Sequence, residues 1–173
     1  MLTASRPVEK SAREGLAGSP EVMTLTNLCD RLECCHLRLS GLFVDLIAGC
    51  SGDVKERITI VGHQVLEHLR QEEEVLFPLI RELDQTGSVS EEERAELGRH
   101  MKPMRDEHGL LEEVLDDLEY LEIEREGVFD ERMKDGERMK DGLSKLTHAL
   151  HGQIHEENQI LYRRVAGLVR IPA

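Results

Sequence analysis

Apolar residues recur along most of this chain at helical rather than strand spacing. From Glu21 to about Ile47 they fall at Leu25, Leu28, Leu32, Leu39, Phe43, Leu46 and Ile47, one stripe of a single helix. Gly49, Ser51 and Gly52 interrupt it, and a second stripe runs from about Asp53 to Leu83 through Ile58, Val61, Val65, Leu69, Leu76, Leu79 and Ile80. Pro78 is expected to kink its last turns. Thr86, Gly87 and Ser88 form the next break, and Ser90 with Glu93 predicts a capping box that opens a third helix reaching about Glu126, bent near its start by Pro103. After Gly127 the hexapeptide Glu131–Gly136 is repeated at once as Glu137–Gly142, and its periodic glycines predict a surface loop or a loose helical lead-in. A fourth helix follows from about Leu143 to Leu168. Four long helices with short breaks predict an all-α fold, an up-down-up-down antiparallel four-helix bundle over residues 21–170. Residues 1–20 mix Ser, Gly, Pro and charge without periodicity and read as a flexible lead-in.

Composition changes this picture little. A chain of 173 residues suits one core, and 3% aromatic content with no Trp favours helices over a sheet. The net charge of −13 opposes nucleic acid and anionic membrane as partners, since both need clustered Lys and Arg. No segment approaches the roughly 18 apolar residues of a membrane span, and the first residues lack the apolar stretch of a secretory signal, so a cytoplasmic location is expected. Cys29, Cys34, Cys35 and Cys50 do not have the spacing of a zinc ribbon or a disulfide framework and read as reduced thiols.

What changes the picture is polarity inside the stripes. His36 falls within the Leu32, Leu39 and Phe43 face, and His108 within the Met101, Met104, Leu111 and Leu115 face. His68 and Glu72, one turn apart, lie on the stripe of Val65, Leu76 and Leu79. The fourth helix repeats the second at an offset of 85 residues, Val65, Leu69, Glu72 and Leu76 matching Leu150, Ile154, Glu157 and Leu161, so Glu157 is a second inward carboxylate. A lone buried His is more often a hydrogen-bonded core residue than a ligand, and Glu73 and Glu74 read as solvated charges. Taken together, two carboxylates and several imidazoles from four helices are ingredients of a bridged metal pair, and mixed N and O donors suit iron better than zinc, calcium or magnesium.

Assembled in this way, the chain resembles the hemerythrin-like cation-binding family, and within it the di-iron proteins that repair iron-sulfur centres. The stretch from His68 to Pro78 is similar to the family's His-x-x-x-Glu-Glu-x-x-Leu-Phe-Pro signature. Met104 to His108 resembles the single-His segment of the third helix, His36 the ligand of the first, and Glu157 to Tyr162 the final carboxylate segment. The resemblance implies His36, His68, Glu72, His108 and Glu157 as iron ligands.

Two departures stand out. The family places a His four residues before the last Glu, and here that position is Gln153, with His151 and His155 nearby as alternatives if Gly152 permits a bulge. A neutral amide is a weaker iron donor, so two irons per chain or one are both open. The repair proteins also carry an additional cysteine-bearing N-terminal domain, which twenty flexible residues are too few to form. The implied function is binding, sensing or detoxifying O2, NO or peroxide. An iron-dependent peroxidase or other oxidoreductase, and a metal-poor interaction module, are the alternatives. Oligomeric state and electron donor are not legible in the sequence.

Overall fold

A computed structural model describes the backbone over residues 23–125 and 134–169, and side chains over residues 23–115 and 137–169. The lead-in of residues 1–20 and the break at Gly127 lie outside these residues. Within them the chain forms four antiparallel helical rods, an all-α bundle. The first rod is α1 (Leu25–Gly49). The second is α2 (Gly52–Gln71), a widened π turn (Glu72–Leu76) and α3 (Phe77–Thr86). The third is α4 (Glu91–Arg125). The fourth is α5 (Lys134–Glu156), a second π turn (Glu157–Leu161) and α6 (Tyr162–Val169).

Local chemistry sets the rod ends. Thr24 Oγ1 accepts from the Asn27 amide at 3.1 Å, and Asp84 of α3 braces the same end by accepting from the Thr26 amide at 3.0 Å and the Leu25 amide at 3.3 Å. Gly87, at φ 66°, ends α3 in the left-handed conformation that favours glycine. The expected capping box is present: Glu93 Oε2 accepts from the Ser90 amide at 2.6 Å, and Ser90 Oγ from the Glu93 amide at 3.2 Å.

Two features depart from the regular helices expected. Just before Pro78 the second rod has a widened turn, in which the Phe77 amide donates to the Glu72 carbonyl five residues back. Proline is not required for such a turn, because Tyr162 donates to Glu157 in the same way where the next residue is Arg163. The fourth rod also begins at Lys134, earlier than Leu143, so the second hexapeptide copy is helical. Its Gly142 packs closely enough on α1 that a Cβ there would meet Leu46 Cδ2 at 2.9 Å.

The interior has two apolar clusters with a polar layer between them. One gathers Leu28, Leu32, Phe77, Ile80, Tyr162 and Val165; the other gathers Leu39, Phe43, Val65, Leu111, Leu146 and Leu150. Between Leu32 and Leu39 lies His36, and between Val65 and Leu76 lie His68 and Glu72. Burying that layer is unfavourable unless its lone pairs and charges are compensated, so the packing itself marks the place where a partner is needed.

Candidate metal centre

Each rod delivers its polar residues by helical spacing. The structure brings together all six positions singled out in the sequence, and all are buried: His36, His68, Glu72, His108, Gln153 and Glu157. His151 and His155 are exposed and α5 runs regularly past Gly152, so Gln153 is the residue that enters the layer.

The π turns explain how two consecutive residues reach one imidazole. In a regular helix neighbours diverge by about 100°. Here Glu72 Oε2 lies 3.5 Å from His36 Nε2, while Glu73 Oε1 lies 2.8 Å from His36 Nδ1. The second turn repeats the clamp, with Glu157 Oε2 3.1 Å from His108 Nε2 and Asn158 Oδ1 3.1 Å from His108 Nδ1. The aromatic residues after the turns stack on the same rings: Phe77 on His36 at 5.6 Å and Tyr162 on His108 at 5.8 Å. Glu73 was expected to be a solvated charge. It is 42% exposed yet holds His36, which corrects that reading. Glu107, the third such acceptor, lies 2.7 Å from His68 Nδ1.

These acceptors fix the tautomers. With Nδ1–H of His68 given to Glu107 and Nδ1–H of His108 to Asn158, both Nε2 lone pairs turn inward, and they face each other at 2.9 Å. Two lone pairs at that distance repel unless a proton or cation lies between them. The spacing is that of neighbouring ligands on one ion with bonds of about 2.1 Å. Donor atoms of His68, Glu72, His108 and Glu157 all lie within 4.8 Å of one another.

Each carboxylate faces two ways. Glu72 Oε1 is 3.7 Å from His68 Nε2, and Oε2 is on the His36 side. Glu157 Oε2 is on the His108 side, while Oε1 is 3.4 Å from His36 Nε2 and accepts from Gln153 Nε2. Among the described residues, Glu72 Oε2, Glu157 Oε2 and Gln153 Oε1 are buried without a hydrogen-bond partner. Orphaned acceptors and inward lone pairs form a donor set that fits a cation, not a self-satisfied polar network.

The hemerythrin HHE cation-binding domain matches residues 26–165. The chain belongs to that family. No curated protein and no solved structure matches it. A hemerythrin-family chain with this cluster has two halves of unequal make-up: His68 and His108 on one side, His36 and Gln153 on the other, with Glu72 and Glu157 spanning both.

Electrostatics within this hemerythrin-family layer are lopsided as well. Burial and then the charge of Glu157 push the Glu72 carboxyl well above the usual range, against an opposing hydrogen bond from Tyr162. Burial also acts to raise Glu157, but His108 and His36 in their protonated forms, with a proton on the Nε2 that carries a lone pair in the neutral rings, outweigh it by hydrogen bond and charge and hold this carboxyl at about 2. Burial lowers His68, opposed by its bond to Glu107.

Three participants escaped the sequence reading: Glu107, Asn158 and Tyr162. A signal for Asn158 and Tyr162 was present in the 85-residue offset, which sets them against Glu73 and Phe77. Glu107 had only its place beside His108 to mark it.

Proposed function

We propose that the protein holds non-haem iron in this layer, two ions per chain at full loading, and uses it to bind, sense or detoxify O2, NO or peroxide. The observation that carries the reading is the double-facing pair Glu72 and Glu157, whose oxygens look toward both halves and are partly left without partners. His36, His68, His108 and Gln153 supply the remaining donors. Iron in such a set offers reversible one-electron chemistry and an exchangeable coordination position.

The chain's own residues supply the rest. Glu73, Glu107 and Asn158 hold the three imidazoles with Nε2 inward, and such partners raise ligand basicity and fix ring orientation. Tyr162 donates its hydroxyl to Glu72 Oε1. The apolar clusters on either side exclude bulk water, which strengthens every interaction inside the layer. The half beside His36 has the weaker donor in Gln153, and it is the half assigned to exchangeable small ligands.

The test is iron analysis of protein purified anaerobically, followed by visible spectra on adding O2, NO or peroxide. Uptake of about one to two irons per chain, with a spectral change on at least one of the three, is expected. Protein that is iron-free and takes up no ferrous ion rejects the reading. Steady-state consumption of peroxide or NO, lost in Glu72→Ala, would assign turnover in place of reversible binding.

A further inference from the structure

The two helical pairs are internal copies of one another. The first and third rods align in sequence at an offset of 72 residues, with Leu25, Cys29, Leu32, His36, Leu39 and Phe43 matching Leu97, Met101, Met104, His108, Leu111 and Leu115, all buried. With the 85-residue offset of the second and fourth rods, this maps one half of the site onto the other. His36 with Glu72, Glu73 and Phe77 becomes His108 with Glu157, Asn158 and Tyr162, at closely similar distances.

The same mapping carries His68 onto Gln153 and Glu107 onto Cys35. His68 has both ring nitrogens engaged, Nε2 toward the layer and Nδ1 with Glu107 at 2.7 Å. Gln153 has only its Nε2 arm engaged, with Glu157; its Oε1 is buried and without a partner. Cys35 is a half-buried free thiol with neither the charge nor the reach of Glu107. An imidazole at position 153 would thus lack the carboxylate acceptor at position 35 that Glu107 provides for His68.

We propose that Cys35 and Gln153 are one coupled departure from symmetry, the counterpart of the Glu107 and His68 pair, and that position 35 decides whether position 153 can complete a second tight cation subsite. The two changes act together because the orienting carboxylate matters only when the ring it orients is there. Cys35 is in this sense a specificity-determining position that touches no ligand atom of the layer. The proposal rests on the metal reading above.

Two double-mutant cycles test it, read as affinities of the metal-free protein for cobalt(II) by anaerobic calorimetry, with helicity checked by circular dichroism. In the first, Glu107→Cys weakens the tightest equivalent by about 10–100-fold when His68 is present, and by no more than about twofold in the His68→Gln background. In the second, Gln153→His with Cys35→Glu binds the second equivalent about 10–100-fold more tightly than Gln153→His alone. Simple additivity in either cycle overturns the coupling. Wild-type protein that takes up no cobalt rejects the metal reading itself, a result distinct from additivity, and the first cycle keeps the question decidable if Cys35→Glu does not fold.

Discussion

Replacing Glu72 with Leu and Tyr162 with Phe together should stabilise the metal-free protein while abolishing its response to metal. Glu72 is fully buried, is pushed toward its neutral form, and has one oxygen without a partner; its other oxygen accepts from Tyr162. Removing Glu72 alone would orphan the buried hydroxyl at a cost of about 1–3 kcal/mol, so both partners are changed together. Phenylalanine fits the second position, because Phe77 already occupies the equivalent place, fully buried on His36. Substituting buried ionisable groups by apolar side chains of similar volume typically ranges from neutral to about 1–4 kcal/mol more stable. With chelator present, the double variant should therefore melt above wild type by about 2–4 °C for each kcal/mol gained. With ferrous ion at about a thousand times its dissociation constant, wild type should gain about 4 kcal/mol and overtake the variant, which gains nothing. Thermal unfolding followed by circular dichroism, with chelator and with metal, reads both arms. A variant less stable than wild type in chelator, or one that keeps a metal-dependent shift, refutes the reasoning.

Further outcomes follow from the same geometry. Because Glu72 is raised above its ordinary 4.5, it should cost metal-free wild type stability as pH climbs from about 4.5 toward the raised value, so wild type should fall relative to Glu72→Leu across that window, readable by urea unfolding of both at several pH values. Asp84→Ala should cost about 0.5–2 kcal/mol by stripping the acceptor from the start of α1. The Asp84 carboxyl is lowered by those same hydrogen bonds, even though partial burial acts to raise it, so the loss should be present at neutral pH and vanish as pH falls below the carboxylate range. Gly142→Ala should change stability by no more than about 1 kcal/mol, because its Cβ meets only the Leu46 side chain, whose end can shift, and Ala favours the helix over Gly by about 1 kcal/mol; a loss above about 2 kcal/mol would show that Leu46 is held in place across the α1 and α5 contact.

Much of the fold and of the layer was legible in the sequence because helical periodicity is strict. A polar residue at a stripe position points inward, and so His36, His68, Glu72 and His108 stood out by spacing, Glu157 by the 85-residue repeat, and Gln153 by that repeat together with the family pattern. The widened turns were not legible, since one extra residue per turn leaves an apolar run such as Val75, Leu76 and Phe77 compatible with either geometry. Glu73 and Glu107 were hidden for a related reason. Each is more than two-fifths exposed, and a carboxylate that reaches from the surface to a buried imidazole has the sequence signature of any solvated helix charge. The helical start of the fourth rod was obscured by its glycines, and Gly142 is there because the neighbouring helix comes close, not because the chain turns.

Whether imidazole and carboxylate groups from all four rods share a cation is most directly tested by X-ray absorption at the iron edge of anaerobically loaded protein. Light donors at about 2.0–2.2 Å, an imidazole signature that weakens in His68→Ala, and no sulfur shell are expected. A sulfur shell near about 2.3 Å would move the metal to the cysteines and contradict the account, as would a spectrum unchanged by His68→Ala.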